Sequence, residues 1–453
     1  MIINEKKKEY IDKEIFKMVE LLVKIEEKEV KKNKDDFKKG SFAHKSYIDL
    51  TDRLIDSPII KKTLSIDHKF IIAIEESFHN ETIGYTEKEY PVFDKFINNI
   101  YKEETIRTKI SIEFIHDKVF SWITKTYRTK QAQNLFSSYL LDEIENSIEE
   151  LKFYYPILHL DIEKPFFVGN VKIEYLTKEF FDKLFENQTK NKDKAYDSAI
   201  KKYVGAVFAT YIIKAERSKA EEIALNECSL AVDILKICSD TTEAPQLKLS
   251  FDIDSRIREN ITHEVLITKA DITDGNLSVS EYRGPSHHSI TLKDLNYMYK
   301  NRELITFHNF LLNMPLTPSE LEQLIINGMK RYGNAISNVN YHQRIVELFT
   351  ILESLLLIDN NSPIIESVCK YGSKLVFKKP EHRKDIISLL KDMYNVRSAL
   401  IHHAKEKPFE IDKLRKLQIF VVLLFSQLIE KSNRHKTKES LLQEIDDAIL
   451  NAY

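Results

Sequence analysis

The sequence predicts a mainly α-helical protein with a mixed α and β region in the middle and an all-helical C-terminal part. Glycine and proline number only 9 and 11 in 453 residues, well below the usual shares of about 7% and 5%, so tight turns are scarce. Apolar residues recur at three- and four-residue spacing towards both ends of the chain, which is typical of amphipathic helices. Between these ends, short segments rich in β-branched and aromatic residues are bounded by turn residues, which is typical of strands.

The length allows more than one domain, since a domain usually takes about 100–200 residues. The character of the sequence changes near Pro156 and again near Leu292. We therefore expect an N-terminal helical region over 1–155, a mixed middle domain over 156–291 and a helical domain over 292–453.

The N-terminal region is predicted to be helical because its apolar residues share helix faces. Ile15, Met18 and Leu22 follow the spacing of one such face. Further helices are predicted over 65–77, 105–122 and 130–151.

The middle region contains candidate strands and one long helix. Gly169-Asn170 is a turn signal before a candidate strand, and Asp274-Gly275 is a second hairpin signal. The strands are predicted over 157–162, 171–175, 203–213, 247–253, 261–267 and 277–282, and the helix over 218–238.

The C-terminal region is predicted to be almost wholly helical. Its apolar stripes repeat with helical spacing over 340–358, 363–377, 384–401 and 411–431. Pro408 separates the last two stripes, and proline does not continue a helix.

Charge and cysteine content narrow the classes of function. The chain carries 68 basic and 70 acidic residues, so attraction to nucleic acid requires a local patch. Three cysteines without C-x-x-C spacing argue against a disulfide framework and against cysteine-bound zinc. The longest apolar stretch, Ile419–Phe425, is far short of the about 20 residues that span a bilayer. We expect a cytoplasmic protein that does not enter a membrane.

Common nucleotide and metal motifs are missing from the sequence. It contains no G-x-x-x-x-G-K-[ST], no G-x-G-x-x-G and no H-E-x-x-H. Asp161-Ile162-Glu163-Lys164 has the pattern of metal-dependent nucleases, and Asp252 with Asp254 offers a second carboxylate pair. Each is a single short pattern among 70 acids, so we expect no metal and no cofactor. A metal-dependent nuclease remains an alternative.

Arg397 and His402 are the candidate catalytic residues. An imidazole exchanges protons near neutral pH, so it can take the proton from a ribose 2′-hydroxyl. A guanidinium is always charged and can hold a phosphate while negative charge develops on it. Attack by the 2′-oxygen leaves a 2′,3′-cyclic phosphate and spares DNA, which lacks the hydroxyl.

Similar spacings occur elsewhere by chance. Arg283 to His288 has the same spacing, but Arg283 is followed by a Gly-Pro turn that excludes a helix. Arg302 to His308 is one residue longer, and His308 lies among aromatic residues, as a packed side chain does. Arg397 differs because it lies near the end of a strongly amphipathic helix.

The segment around Arg397 is also basic. From 370 to 416 it carries thirteen Lys or Arg and six Asp or Glu, an excess of seven positive charges in a chain whose net charge is −2. Such a segment can attract a phosphate backbone, and Lys391, Lys405 and Lys407 are the candidate RNA-binding residues. An ordinary lysine-rich surface is the alternative interpretation.

Helix geometry restricts how Arg397 and His402 can meet. Residues five apart on a regular helix lie about 140° apart around its axis. Either the helix ends near Ile401 and the chain turns back, or two copies of the helix meet and combine their residues, as symmetric dimers do.

Three sequence blocks resemble the Apea-like branch of the HEPN domains. They are Arg344–Leu356, Tyr371–Leu375 and Leu390–His402, in that order and at the spacing of a helical bundle. The tyrosine three residues before the arginine, Tyr394, is matched as well. The resemblance is confined to the C-terminal third of the chain.

The resemblance implies an all-α HEPN-like bundle that forms a homodimer and, in many members, a metal-independent endoribonuclease. Arg397 and His402 take the positions of the family's R-x4-6-H motif. Ser398, His403 and Glu353 are the implied auxiliary residues. Glu353 matches an acidic position that orients the arginine, and Ser398 replaces the usual Asn, Asp or His.

The sequence therefore predicts an endoribonuclease whose partner is RNA. The resemblance implies a role in antiphage defence or in a toxin-like stress response. Residues 1–291 are expected to sense a regulatory ligand or a phage trigger. The alternative is a HEPN module that has kept dimerisation or RNA binding and has lost catalysis.

Overall fold

The computed structural model describes residues 4–25, 62–66, 69–75, 82–85, 88–130, 135–185, 192–253, 288–358 and 363–450. The chain divides into two compact units, Met1–Leu151 with Ile213–Glu222, and Lys152–Ile212 with Ile223–Tyr453. The protein is mainly α-helical, with an antiparallel sheet in the middle of the chain. This is the fold class that the sequence predicts at the coarse level.

The first unit combines helices with a four-stranded antiparallel sheet in the order β1-β4-β3-β2. The described helices are α1 (Glu5–Glu20), α2 (Tyr90–Tyr101), α3 (Glu104–Arg107), α4 (Ile112–Thr129) and α5 (Phe136–Ser147), and the strands are β1 (Val23–Ile25), β2 (Lys62–Ile66), β3 (Lys69–Glu75) and β4 (Thr82–Tyr85). Tyr85 stacks on Phe93 with ring centroids 4.7 Å apart and donates a hydrogen bond to the Met18 carbonyl. Strand β4 is thereby fastened to α1 and α2.

The helix predicted over 65–77 is wrong. Of its described residues, 65 and 66 lie in β2 and 69–75 in β3, and the two strands pair antiparallel with Ile66 opposite Lys69. The run Phe70-Ile71-Ile72 is aromatic and β-branched, and such side chains favour strands. The helix predicted over 130–151 is shorter, since α5 ends at Ser147. The helix predicted over 105–122 is divided between α3 and α4, and Ser111 caps α4.

Glu216 explains why residues 213–222 belong to the first unit. Its buried carboxylate accepts hydrogen bonds from the backbone N–H groups of Ser218 and Lys219, at the start of the next helix, and of Ser111, the cap of α4. Although burial works to raise it, these hydrogen bonds hold the pKa of Glu216 below its usual value. One carboxylate therefore caps two helix N-termini.

The second unit is built around a five-stranded sheet in the order β10-β5-β9-β8-β7, beside a parallel pair of β11 and β6. The strands are β5 (Glu149–Leu158), β6 (Leu160–Ile162), β7 (Phe166–Val168), β8 (Val171–Tyr175), β9 (Val207–Ala215), β10 (Asp252–Ile253) and β11 (His288–Ile290), and the helices of this stretch are α6 (Lys178–Phe185), α7 (Lys192–Tyr203), α8 (Arg217–Ile237) and α9 (Asp240–Glu243). The strand predicted over 171–175 and the helix predicted over 218–238 are confirmed, the latter shifted by one residue. The strand predicted over 203–213 is displaced to 207–215, and the strand predicted over 247–253 is shortened to Asp252–Ile253. Those over 261–267 and 277–282, and the Asp274-Gly275 turn, lie outside the described residues.

The Gly169-Asn170 turn joins β7 to β8 and lies against a helix. Gly169 has a φ of +58°, and its N–H donates to Nδ1 of His308 at 3.1 Å. Tyr299 donates its hydroxyl hydrogen to the Phe167 carbonyl. His308 thus holds the hairpin in place, which agrees with its interpretation as a packed side chain.

The described regular structure from 292 to 450 is entirely helical. The elements are α10 (Leu292–Asn301), α11 (Leu304–Leu312), α12 (Glu320–Ser337), α13 (Tyr341–Leu356), α14 (Ile364–Ser367), a π-helix (Val368–Gly372), α15 (Ser373–Val376), α16 (Pro380–His403), α17 (Ile411–Ser432) and α18 (Lys438–Leu450). Helix α13 packs against α12, α16 and α17. Gly372 allows a close approach, because a Cβ there would lie 2.9 Å from the Phe420 ring.

The sheet of the second unit and the C-terminal helices share one hydrophobic core. Two buried cations lie within it. Lys236 pairs with Asp252 at 2.6 Å, and Arg344 binds the carbonyls of Asn338 and Pro245 at 2.7 and 3.1 Å. None of the described helices is long and apolar enough to cross a membrane.

Replacing Gly169 by alanine should destabilise the second unit. A Cβ there would lie 2.6 Å from Cβ of Leu311, so steric overlap adds about 1–3 kcal/mol to about 1–2 kcal/mol of left-handed backbone strain. Gly205 is the matched control, since its φ is also positive but nothing lies within 4 Å of its Cβ position. Urea unfolding should show a clearly larger loss for Gly169→Ala than for Gly205→Ala, and equal losses would contradict the close contact with Leu311.

Candidate functional site

Helix α16 carries most of the candidate site residues. It begins with Pro380 in its first turn and buries Ile386, Leu390 and Met393 on one face. It ends at His403, and Ala404 follows in the left-handed conformation with a φ of 50°. The helix thus ends two residues beyond Ile401, which leaves His402 within it. Arg397 and His402 lie on one regular helix, about 140° apart around its axis.

Arg397 lies against Glu353 of α13. Its Nη2 is 3.0 Å from Glu353 Oε1, and the two side chains are only 13% and 18% exposed. Among the described residues, neither Glu353 Oε1 nor Arg397 Nε has a hydrogen-bond partner of good geometry. The contact is an ion pair that leaves hydrogen-bonding capacity unused on both side chains.

Burial determines the electrostatics of this pair. It raises the pKa of the Glu353 carboxyl above its usual value, and the positive charge of Arg397 acts in the opposite direction. Because a partly buried charge is costly without a partner, each group supports the charged form of the other.

An aromatic pair supports the arginine from the other side. The guanidinium carbon of Arg397 lies 5.5 Å from the centroid of the Tyr394 ring, within the range of a cation–π contact. Tyr394 in turn meets Phe349 of α13 edge to face. Glu353, Phe349 and Tyr394 thus limit the positions open to the guanidinium.

The candidate histidines lie at the exposed end of the same helix. His402 and His403 are exposed, with their ring centroids 6.4 Å apart. Lys391, Lys405 and Lys407 are exposed as well, and Ser398 is half-buried. The structure brings Glu353 and Arg397 together, but within one chain it does not place His402 on the face of Arg397.

The segment after the helix is fastened by a histidine that the sequence analysis missed. Nε2 of His342, in the first turn of α13, lies 2.8 Å from the Lys407 carbonyl oxygen. The His342 ring packs edge to face on Phe409, with centroids 5.2 Å apart. The segment that carries Lys405 and Lys407 is therefore held against α13. Nothing in the local sequence marks His342 for this role.

The basic segment 370–416 is not one patch. Lys374, Lys378, Lys379, Arg383 and Lys384 lie around the start of α16, whereas Lys405 and Lys407 follow its end. The helix has 24 residues, which corresponds to about 36 Å. Lys413 pairs with Asp392, and Arg415 and Lys416 share Asp412. The excess of positive charge near His402 is therefore smaller than the sequence count indicates.

The carboxylates of the metal alternative are engaged elsewhere. Asp252 pairs with Lys236, and Glu163 accepts a hydrogen bond from the Leu292 N–H. Across the described ranges, no group of three or more His, Cys, Asp or Glu residues is arranged to hold a metal ion. Asp254 lies outside those ranges.

Comparison of the chain with models of known protein families, with curated proteins and with solved structures finds no match. The resemblance to the HEPN domains thus depends on the residues quoted for it.

Removing the positive charge at 397 should make stability depend on pH through Glu353. In Arg397→Met the Glu353 carboxylate loses its cation, so we expect a loss of about 1–3 kcal/mol near neutral pH. A carboxyl whose pKa is raised in the folded state binds its proton more tightly there, so part of the loss should be regained as the pH falls through that pKa. Urea unfolding at about pH 7.5 and about pH 5 measures this effect.

Glu353→Gln is the matched control for this experiment, because the amide cannot titrate. It leaves Arg397 without its carboxylate partner, so it should also destabilise the protein near neutral pH, and Arg397→Met combined with Glu353→Gln should lack the regain of stability at low pH. An Arg397→Met protein as stable as wild type at both pH values would contradict the ion pair.

His342→Ala should loosen the segment between α16 and α17. Loss of the hydrogen bond to Lys407 costs about 1 kcal/mol, so amide hydrogen exchange should accelerate over 404–410. His382→Ala is the control, because His382 is an exposed histidine near the other end of α16 and contacts Phe377. Exchange over 404–410 that is unchanged in His342→Ala, or equally changed in His382→Ala, would contradict the anchoring role.

Proposed function

We propose that this protein is a metal-independent endoribonuclease with an Apea-like HEPN fold over residues 292–453. The observation that carries the proposal is the support of Arg397, which contacts Glu353 at 3.0 Å and lies over Tyr394 on the helix that ends at His402 and His403. A positioned arginine near an exposed histidine is the pair of groups that 2′-hydroxyl chemistry needs.

The proposed reaction uses only the RNA and these side chains. The His402 imidazole accepts the proton of the ribose 2′-hydroxyl, and the 2′-oxygen attacks the adjacent phosphorus. The bond from phosphorus to the 5′-oxygen breaks, and that oxygen leaves with the proton from the imidazolium. The Arg397 guanidinium stabilises the charge that develops on the phosphate oxygens. The products are a 2′,3′-cyclic phosphate end and a 5′-hydroxyl end.

The proposed active site needs two subunits. Since Arg397 and His402 lie about 140° apart on one helix, we assign Arg397 of one subunit and His402 of the partner subunit to each site. An isologous dimer through the C-terminal helices creates two such pairs. Ile401 precedes His402 and is 49% exposed. Its side chain supplies apolar surface for the contact between the subunits.

The remaining candidates take auxiliary roles in this proposal. Lys405 and Lys407, on the segment held by His342, attract the RNA backbone near the histidines, and Lys391 does so farther along α16. Glu353 positions Arg397. Ser398 and His403 flank the reacting pair and contribute hydrogen bonds to the phosphate.

A cellular role follows from the family that the chain resembles. We place the enzyme in the cytoplasm, in antiphage defence or a toxin-like stress response, with residues 1–291 sensing a regulatory ligand or phage trigger. Such an arrangement keeps a general RNA-cleaving activity silent until it is needed.

The second candidate function is a HEPN module without catalysis that dimerises or binds RNA. Two observations favour it: Arg397 is only 13% exposed and already paired, and Ser398 stands where the family usually has a stronger hydrogen-bonding residue. In this case the protein binds RNA without cutting it.

Cleavage of labelled single-stranded RNA in EDTA tests the proposal. We expect wild type to produce cyclic-phosphate ends, with a loss of about 10²–10⁴-fold in His402→Ala and of about 10²–10³-fold in Arg397→Ala. His382→Ala is the matched histidine control on the same helix and should retain activity. Wild-type RNA binding without cleavage would favour the second candidate, and cleavage equal in all four proteins would refute the assignment.

Mixing two inactive variants tests the dimeric site. Subunits of Arg397→Ala and His402→Ala, unfolded and refolded together in equal amounts, should form one intact site in each mixed dimer. Because half of the dimers are mixed and each has one of two sites intact, activity should return to about a quarter of wild type. Activity that stays at the level of the separate variants would show that both groups act within one subunit.

A further inference from the structure

An open polar groove lies between α12 and α13, apart from the Arg397 contact. Its lining consists of Asn327, Arg331, Asn334, Ala335, Asn338 and Glu347, around a cavity of about 470 Å³, within the size range of ligand pockets. The first five lining residues follow helical spacing along one face of α12 and its end. Three amides, one guanidinium and one carboxylate thus meet in one groove, with a single alanine as the apolar part of the lining.

Arg331 is oriented in this groove by one ion pair with Glu347. Its Nε lies 2.7 Å from Glu347 Oε2, and the arginine side chain remains 49% exposed. Among the described residues, its two Nη atoms donate no hydrogen bond. The guanidinium therefore uses one edge for Glu347 and offers the other edge, with two parallel donors, to a ligand.

The neighbouring amides also offer donors. Asn327 Oδ1 accepts a hydrogen bond from Gln323, and Asn338 Oδ1 accepts one from the N–H of Asn340. Each of these oxygens already accepts one hydrogen bond, and among the described residues neither amide nitrogen donates one. The groove suits a ligand that presents a pair of acceptors.

The charge of the groove favours a nucleobase over a phosphate. Glu347 neutralises Arg331, and its carboxylate would repel a phosphate placed beside the arginine. Guanine presents two neutral acceptors, O6 and N7, at the spacing of an arginine fork, which is the commonest specific arginine contact in nucleic-acid recognition. Adenine presents a donor in place of one acceptor. Bases are read in this way in RNA when the strand is single and its bases are unstacked.

We infer that the groove of Asn327, Arg331, Asn338 and Glu347 binds a guanine base of single-stranded RNA, with Arg331 paired to O6 and N7. This rests on the proposed function and adds a sequence preference to it. Glu347 and Glu353 lie on the same helix, about 9 Å apart along its axis and about 120° apart around it. A guanine in the groove and the phosphate that Arg397 contacts would thus lie on different faces of α13, a few nucleotides apart along one strand.

Binding of a non-cleavable RNA tests this inference without any need for catalysis. The probe is a fluorescent 2′-O-methyl oligouridine hexamer with one central guanosine, which lacks the attacking hydroxyl, and the readout is its dissociation constant by fluorescence anisotropy. Wild type should bind it about 5- to 150-fold more tightly than the same hexamer with uridine only, the range expected for one bidentate contact. Arg331→Ala should lose this preference.

Two further comparisons isolate the arginine fork. Arg331→Lys keeps the charge but not the two parallel donors, so it too should lose the guanine preference. Replacing guanine by 7-deazaguanine removes N7, and this change should weaken binding to wild type but not to Arg331→Ala, as expected for two partners of one contact. Arg434→Ala, which removes another exposed arginine of this unit, is the matched control and should bind like wild type.

The outcomes separate this inference from the proposed function. A guanine preference that persists in Arg331→Ala, or equal binding of both hexamers by wild type, overturns the groove assignment even if RNA cleavage depends on Arg397 and His402. Arg331-dependent guanine binding in a protein that cleaves no RNA supports the groove and refutes only the nuclease proposal.

Discussion

The regularity of helix α16 is the constraint on which the candidate site depends. The helix continues without a break to His403, so the directions of Arg397 and His402 follow from their positions in the sequence. Arg397 faces α13 and is held by Glu353, whereas His402 is exposed at the end of the helix. A site that uses both groups has to be completed by a second helix. In the proposed nuclease, the partner subunit supplies that helix.

Buried polar contacts fix the helix that receives Arg397. Arg344 of α13 is 2% exposed and has backbone carbonyls and the Gln418 amide oxygen as partners. Burial lowers the pKa of the Arg344 guanidinium, against the opposing effects of Tyr332 and Tyr341. Gln418 in turn donates to the carbonyls of Thr241 and Thr242. These contacts tie α13 and α17 to the segment around α9, which gives Glu353 a rigid support.

Helix α13 contributes a contact to each candidate feature of the C-terminal part. His342 at its start holds the segment that carries Lys405 and Lys407, Glu347 orients Arg331 in the polar groove, and Glu353 lies against Arg397. Each of these three side chains is a half-buried polar residue on a helix most of whose residues are buried. A polar residue on such a helix therefore indicates a role other than packing in the core.

The sequence by itself determined the features that depend on neighbouring residues. The hairpin at Gly169-Asn170, the helical course of the C-terminal part and the position of Arg397 near a helix end all follow from local patterns. Tertiary structure decided the rest. It placed 62–66 and 69–75 in strands that pair with each other, the second also with β4, and it divided the basic segment between the two ends of α16. It also joined Arg397 to Glu353, 44 positions earlier in the chain. The family resemblance pointed to this pairing, but no local pattern did, because the two residues come together only when α13 and α16 pack.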